Sequence, residues 1–256
     1  PSRALFSVRD GIGRTDWLRA DVRSRVEAIA AGLMRLGIAP GDRVAIVANT
    51  CPEWVLVDLG IALAGAVSVP MFPAYHSDTV RYIMGHAGIK LAFVETIAQV
   101  EVLSADRNEF PDLAHLVLMD PENPESAEDL SSLGNLGEVI ARNPSLGEGF
   151  LWTLAALEEI GTVDTFPKGR TGQLATIVYT PGTTGDPKGV MLTQEAMLFV
   201  SDTVVRALRW EKHDRVLMFL PLAHILPRVL ALSAIRCGAL LIFGSPEEEL
   251  IQELGE

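Results

Sequence analysis

The spacing of hydrophobic residues predicts helices and strands that alternate along the chain. Apolar side chains recur at steps of three and four between positions 18 and 36, which places them on one face of a helix. These residues are Leu18, Val22, Val26, Ile29, Leu33 and Leu36. Gly37 suits the end of that helix, and the run Pro40-Gly41-Asp42 is typical of a turn.

Short apolar runs rich in β-branched residues predict a series of buried strands. They cover residues 43–48, 67–69, 91–94, 116–119, 174–178, 190–192, 216–219 and 240–243. Further helices are predicted to begin at Pro52, to begin with Ser77 as N-cap and end before Gly88, and to cover 194–208, 229–236 and 247–254. The regular apolar pattern also returns over 154–160. Strands that alternate with helices through short connections pair in parallel, so we expect an α/β fold with doubly wound, mainly parallel sheets flanked by helices.

Residues 120–149 interrupt this regular pattern. The segment is rich in proline, glutamate, asparagine, serine and glycine. Such a composition predicts an exposed excursion with one short helix at most, and not a domain boundary. We therefore treat residues 1–256 as a single unit.

Charge and cysteine content narrow the classes of function. The formal net charge of -12 argues against non-specific nucleic-acid binding, which needs a basic surface, but it does not exclude a small phosphate site. Cys51 and Cys237 lie far apart in apolar stretches, which predicts buried thiols and fits a reducing cytoplasm. The chain starts without a basic and apolar leader, and its longest apolar runs contain interruptions, so we expect neither a secretion signal nor a membrane span.

The segment 179–190 has the composition of a phosphate-binding loop. Gly182 and Gly185 allow the backbone to turn with its N–H groups facing a ligand, and such a nest attracts anions. The threonines add hydroxyl groups, and Lys188 adds a mobile positive charge suited to phosphate. The predicted nucleotide-binding residues are Thr180, Gly182, Thr183, Thr184, Gly185, Lys188 and Gly189. A plain polar hairpin is the alternative, because glycine, threonine, aspartate and proline all favour turns.

Two other nucleotide-binding motifs do not fit. Pro187 precedes Lys188 and Gly189 follows it, so the segment is not a Walker A loop. An NAD-dependent oxidoreductase would need a G-x-G-x-x-G fingerprint after the first strand, and no such motif follows the first predicted strand here.

The twelve residues Tyr-Thr-Pro-Gly-Thr-Thr-Gly-Asp-Pro-Lys-Gly-Val closely resemble the signature loop of the adenylate-forming superfamily. Pro181 departs from the family pattern, which usually has serine there, and this removes one hydroxyl and one N–H group. The segment 219–224 resembles the next family motif, and 63–70 resembles an early structural motif. The segment 219–224 followed by Arg228, taken together with the segment 71–75, makes the chain look most like the N-terminal part of a long-chain fatty acyl-CoA synthetase.

The resemblance implies an incomplete N-terminal AMP-binding domain over residues 1–256, with the C-terminal half of the enzyme absent. It also implies a two-step reaction that uses ATP, Mg²⁺, a fatty acid and coenzyme A. Lys188 and His224 would be the catalytic residues, with His224 beside the acyl carboxylate, and Thr184 would contact Mg²⁺.

Several alternatives stay open at this point. A fatty acyl-AMP ligase would pass its adenylate to a carrier protein, and a non-catalytic nucleotide-binding module would lack chemistry altogether. The remaining histidines, His76, His86, His115 and His213, share no metal-ligand spacing and are interpreted as surface or packing residues. We expect a cytoplasmic protein; fatty substrates would allow peripheral membrane contact, although no basic amphipathic helix supports it.

Overall fold

Eleven strands form two sheets in a computed structural model that describes residues 3–10, 13–105, 107–119, 149–170, 172–182 and 185–244. The larger sheet has seven strands in the order β7-β6-β5-β3-β4-β8-β9, and the smaller has four in the order β10-β11-β1-β2. The strands are β1 (Ala4–Asp10), β2 (Gly13–Leu18), β3 (Arg43–Val47), β4 (Val67–Met71), β5 (Ile89–Val94), β6 (His115–Leu118), β7 (Leu151–Thr153), β8 (Leu174–Gly182), β9 (Gly185–Thr193), β10 (Arg215–Met218) and β11 (Leu240–Phe243).

Seven α-helices and one 3₁₀ turn connect these strands within the described residues. They are α1 (Arg19–Arg35), α2 (Pro52–Leu63), α3 (Ser77–Ala87), α4 (Ile97–Ala105), the 3₁₀ turn Arg107–Glu109, α5 (Leu154–Glu159), α6 (Gln194–Leu208) and α7 (Ile225–Cys237). The predicted excursion at 120–149 lies almost entirely outside the described residues, and so does the predicted helix at 247–254.

The seven-stranded sheet is doubly wound. All of its neighbouring strands pair in parallel except β8 and β9, which are antiparallel. Side chains alternate across the sheet: Val44 and Ile46 pack with α1, α2 and α5, whereas Ala45 and Val47 pack with α3 and α4. The first of these two cores continues to the four-stranded sheet through Phe6. The predicted fold class is therefore confirmed.

A buried ion pair fixes α7 against the centre of the fold. Arg228 donates from Nε and Nη2 to the two carboxylate oxygens of Asp58 on α2, at 2.8 and 2.7 Å. The same Nη2 donates to Ser68 Oγ on β4 at 2.7 Å. Thr176 on β8 donates to the Ser68 carbonyl at 2.8 Å. One guanidinium thus connects α2, α7, β4 and, through Ser68, the strand that leads to the signature loop.

Several local predictions need correction. Leu18 ends β2 instead of starting the helix, because the β1–β2 pairing extends to the Ala4↔Leu18 pair. The N-cap of α3 is His76 and not Ser77, since its ring accepts from the Asp78 N–H at 3.5 Å. Cys51 and Cys237 are half-buried thiols and not fully buried ones. The strands β1, β2 and β7 and the helix α4 lie in segments for which no element was predicted.

Candidate functional site

The signature loop is the tip of an antiparallel hairpin formed by β8 and β9. The register pairs Tyr179 with Gly189, Thr180 with Lys188, and Gly182 with Gly185. The expected strand on each side of the loop is therefore confirmed. Gly185 has φ of 152°, a value that glycine adopts far more easily than residues with a Cβ. Pro187 is tolerated because β9 is an edge strand of the sheet.

Cross-strand pairing places Thr180 and Lys188, two of the described polar side chains of the loop, on one face. Thr180 and Lys188 are directly opposite each other and both are exposed. Residues that face each other across a ladder point to the same side, and their neighbours point to the other. Tyr179 is accordingly buried, at 5% exposure, among the apolar residues that α3 and α4 cover. The hairpin has an anchored face and an open face, and Thr180 and Lys188 occupy the open one.

Only part of the predicted loop can be compared with the structure. Thr183 and Thr184 lie outside the described residues, and so does the side chain of Pro181. Thr180, Gly185, Lys188 and Gly189 are brought together, because each belongs to one of the last three pairs of the hairpin. Lys188 is exposed, and among the described residues no carboxylate forms an ion pair with it.

His224 is the N-cap of α7 and is exposed. Its backbone N–H donates to the Pro221 carbonyl at 3.0 Å, which closes the turn before the helix. Its ring packs edge-on against Phe72, with centroids 4.5 Å apart, and Phe72 in turn packs against Tyr75 at 5.3 Å. Phe72 directly follows β4, so His224 lies at the carboxyl end of that strand.

The same edge of the sheet collects polar residues that the sequence analysis did not single out. Thr50, after β3, donates its hydroxyl proton to the Leu220 carbonyl at 2.9 Å, and its oxygen accepts from the Leu222 N–H at 3.0 Å. Asn49 donates from its backbone and side chain to Glu95, after β5, at 2.9 and 3.0 Å. These residues could have been found from the sequence, because polar residues that follow buried parallel strands lie together at the edge where the strands have their carboxyl ends.

The hairpin and His224 lie at this shared edge but are not joined to each other by any described hydrogen bond. Because β8 runs parallel to β4, the carboxyl ends of both strands lie at the same edge of the sheet. Beyond β8 comes the hairpin tip, and beyond β4 comes Phe72 with His224 against it. In open α/β sheets ligands bind outside the carboxyl ends of the strands, so this edge is where a nucleotide and a second substrate could meet.

Two further features bear on the class of site. Within the described residues, no group of three or more histidine, cysteine, aspartate or glutamate side chains is placed to hold a metal ion. In the same part of the chain, no helix combines the length and apolar character needed to cross a membrane. His86, interpreted from sequence as a surface or packing residue, contacts Tyr179 at the base of the hairpin.

The sequence profile of the AMP-binding enzyme family matches residues 10–254. The chain belongs to the AMP-binding enzyme family. The resemblance noted from the signature loop is thereby confirmed at the level of the family. Among curated proteins, the long-chain-fatty-acid–CoA ligase FadD15 of Mycobacterium bovis is 30% identical over 255 residues, which cover 96% of this chain and 38% of that protein. Long chain acyl-CoA synthetase 5 of Arabidopsis thaliana is 28% identical, over 92% of this chain and 34% of that protein. The chain spans well under half the length of these relatives.

Solved structures share the fold at low sequence identity. The anthranilate CoA ligase AuaEII in complex with anthranoyl-AMP superposes with a TM-score of 0.78 at 17% identity, over 98% of this chain and 44% of the other. The A-PCP didomain of carboxylic acid reductase from Segniliparus rugosus in complex with AMP superposes with a TM-score of 0.73 at 18% identity, over 94% and 37%. The architecture described above is therefore that of adenylate-forming enzymes.

Proposed function

We propose that this chain forms the phosphate-binding part of an ATP-dependent long-chain fatty acid–CoA ligase. In this reaction the fatty carboxylate attacks the α-phosphate of ATP and releases pyrophosphate, which leaves an acyl-adenylate. The thiol of coenzyme A then attacks the acyl carbon and releases AMP. The observation that carries the proposal is the open face of the β8–β9 hairpin, where the exposed side chains of Thr180 and Lys188 stand side by side at the carboxyl edge of the sheet. The names of the curated relatives supply the substrate class.

Lys188 and Thr180 have the chemistry to hold the β- and γ-phosphates. The Lys188 side chain is exposed, so its ammonium group is accessible to a phosphate. A cation and hydroxyl donors fixed beside the leaving pyrophosphate stabilise the negative charge that it gains in the transition state. The backbone N–H groups of Gly182 and Gly185, together with Thr183 and Thr184, would complete the phosphate cradle at the tip.

His224 has a site geometry that suits the fatty carboxylate. The residue is exposed and its ring packs against Phe72, a contact that restrains the orientation of the imidazole. We place it next to the carboxylate of the fatty acid, where an imidazole N–H can donate to an oxygen and align it for attack.

The protein oxygen atoms near the loop fit a Mg²⁺ ion only when that ion is also bound by the phosphates of ATP. The described residues supply hydroxyl groups here and no carboxylate cluster. Mg²⁺ in proteins commonly keeps waters and binds substrate phosphates together with one or two protein oxygens. We propose that the Thr184 hydroxyl is such an oxygen, and that the ion, when bound, neutralises phosphate charge.

The exposed apolar surface supports the proposal that residues 1–256 are the N-terminal part of a larger AMP-binding domain. The edge strand β9 exposes Val190 and Met191, and α6 exposes Leu198, Phe199 and Val200, with Met191 and Phe199 about two-thirds exposed at 65% and 66%. Large exposed apolar side chains concentrated in one stretch of the chain are typical of an interaction surface, and the relatives are more than twice as long as this chain. We therefore expect residues 1–256 alone to bind ATP weakly and to form no acyl-adenylate, which isothermal titration and a pyrophosphate-release assay would measure.

A fatty acyl-AMP ligase is the second candidate, favoured by the A-PCP didomain among the structural neighbours. It would share the adenylation step and differ in the acceptor of the acyl group. Offering coenzyme A or a carrier protein to the full-length enzyme, and measuring thioester formation with each, separates the two. We place either enzyme in the cytoplasm.

The decisive experiment tests Lys188 in the full-length enzyme. We expect Lys188→Ala to lower the rate of acyl-adenylate formation by about a hundredfold, the scale on which single transition-state donors act. Lys168→Ala is the matched control, because Lys168 is also exposed but lies in the loop before β8. Adenylation at the parent rate in the Lys188 variant would reject catalysis at this hairpin. If the parent enzyme binds nucleotide but forms no acyl-adenylate, it is instead a non-catalytic nucleotide-binding module.

A further inference from the structure

Tyr179 is the last anchored residue before the hairpin leaves the sheet. Among the described residues, β4 and β8 are paired at Ser68↔Thr176. Three residues later Tyr179 is 5% exposed, and the next residue, Thr180, is already exposed. On its other side β8 pairs only with β9, which is itself an edge strand. What holds Tyr179 therefore sets the position of the open face that carries Thr180 and Lys188.

A pair of aromatic side chains on α3 holds Tyr179. His86 Nδ1 lies 2.6 Å from the Tyr179 hydroxyl oxygen, and the two rings meet edge-on at 5.8 Å. The His86 ring stacks on Tyr82, with centroids 5.2 Å apart and planes 19° from parallel. Tyr82 and His86 are four residues apart, so they stand on the same face of the helix. The stack orients the imidazole before it meets the tyrosine.

Gly189 extends this anchor to the second strand of the hairpin. A Cβ built at position 189 would lie 2.8 Å from Ile177 Cγ2 and 3.2 Å from Tyr179 Cζ. The Tyr179 ring therefore lies directly over the backbone of its cross-strand partner. A hydrogen bond that fixes this ring consequently restrains both β8 and β9.

The hydrogen bond is compatible with either protonation state of the histidine. Burial, followed by the nearby Tyr82, raises the pKa of the Tyr179 hydroxyl, which keeps it protonated at neutral pH. A neutral imidazole can accept the hydroxyl proton at Nδ1, whereas an imidazolium can donate from Nδ1 to the hydroxyl oxygen. The contact does not depend on which of these forms is present.

We propose that His86 is a positioning residue for the phosphate-binding hairpin, which it holds in place through the hydroxyl of Tyr179. This inference rests on the proposed function, because it assigns the anchor a purpose in ATP binding. His86 itself touches neither ATP nor the fatty acid in this scheme. It limits the sideways movement of the rung formed by Thr180 and Lys188, so its loss lowers the fraction of enzyme in which both groups face the phosphates.

The test uses the full-length enzyme and a small set of variants. His86→Phe keeps the ring stacked on Tyr82 but removes Nδ1, and Tyr179→Phe removes only the hydroxyl. A net hydrogen bond of about 1 kcal/mol corresponds to about a fivefold change, so we expect each variant to raise KM for ATP about fivefold with little change in kcat. The double variant should equal either single one, and His86→Asn, which restores a polar atom near Nδ1, should recover most of the loss. His115→Phe is the matched control, because it removes a comparable contact of 2.7 Å from Nδ1 to the Gly149 carbonyl, at β6.

A second measurement does not depend on activity. Backbone amide exchange of the peptide covering 180–188, recorded without ligand, should be faster in His86→Phe and Tyr179→Phe than in the parent and in His115→Phe. Unchanged exchange and KM in both variants would overturn the proposal, and so would additive effects in the double variant. If His86→Phe fails to fold, Tyr179→Phe decides by the same two criteria. Failure of the proposed function looks different, since Lys188→Ala would then leave adenylation unchanged while the exchange results still report on the anchor.

Discussion

The buried ion pair between Arg228 and Asp58 offers the sharpest test of the forces that hold the site together. The two side chains are 5% and 6% exposed and form a forked contact through two hydrogen bonds. Arg228 Nη1 is buried without a partner among the described residues, so the guanidinium depends on Asp58 and Ser68 for its compensation. Asp58→Asn keeps the shape of the carboxylate and removes its charge, which leaves a buried cation without a counter-ion.

The expected cost of this substitution is large. Removing one partner of a buried pair typically destabilises a protein by about 3–5 kcal/mol, because the remaining charge stays desolvated. Total stabilities are only about 5–15 kcal/mol, so the variant loses a substantial share. For a chain of this size each kcal/mol lowers Tm by roughly 2–4 °C, which gives a fall on the order of 10 °C. Replacing both residues, as Asp58→Leu with Arg228→Met, removes the buried charge and should be less destabilising than Asp58→Asn alone.

Thermal and guanidinium denaturation at pH 7 measure these differences, with two probes to check that the transitions coincide. Glu27→Gln is the matched control, because it neutralises one partner of the surface pair with Arg23, where the side chains are 79% and 40% exposed. We expect the Tm of that control to match the parent's within experimental error, because an exposed ion pair contributes little to stability. The reasoning is refuted if Asp58→Asn loses less than about 1 kcal/mol, the scale of a neutral hydrogen bond, or if the apolar double variant is the less stable of the two.

Three further predictions concern the hairpin and the edge of the sheet. Gly189→Ala should cost about 1–3 kcal/mol because its Cβ would overlap Ile177 and Tyr179, whereas Gly85→Ala, in an open helical position, should be neutral or stabilising in the same thermal denaturation assay. Thr50→Val should lose about 1 kcal/mol, since it removes both contacts to the 220–222 turn, and Thr50→Ser should retain most of that stability. The raised pKa of Tyr179 means that the unfolded chain loses this proton first, so its contribution to stability is intact below about pH 10 and is lost as the pH rises through the folded pKa. Tyr179→Phe should therefore flatten the decline of Tm above that pH, and an unchanged decline would contradict the assignment.

Elements with a strong local pattern were predictable from the sequence. The helix 194–208 and the strand 240–243 match α6 and β11 at both ends, because periodicity and flanking residues agreed there. The strands β1 and β2 were not predicted, since β2 reads Gly-Arg-Thr-Asp-Trp-Leu and carries little apolar alternation. Its conformation comes from pairing with β1, which in turn pairs with β11 more than 200 residues away. Pairing over such distances leaves no signal in a short window of sequence.

Some residues of the site were predictable from the sequence, whereas the contacts of others were not. The run of glycine, threonine and lysine residues predicted the loop, whereas the placement of Thr180 opposite Lys188 emerged only from the strand register. The strand β9 begins at Gly185, five residues before the predicted 190–192, because main-chain pairing with β8 overrides the turn propensity of Gly-Asp-Pro. The contacts of His86 and Thr50 were beyond reach, because each joins residues that are distant in sequence. A histidine or threonine carries no local sign of such a partner.

The arrangement of these contacts divides the hairpin into a fixed base and an open tip. Thr176 is tied to Ser68 and, through it, to the Arg228–Asp58 pair, while Tyr179 is tied to His86 on the opposite face of the sheet. Both anchors precede Thr180, the first exposed residue of the predicted phosphate site. Phosphate donors gain most when their support is rigid, because ordering a loop at the moment of binding costs conformational entropy. A strand anchored on one face at Thr176 and on the other at Tyr179 confines that cost to the few residues of the tip. Pro181, with its fixed φ, lowers the cost further at the second position after Tyr179.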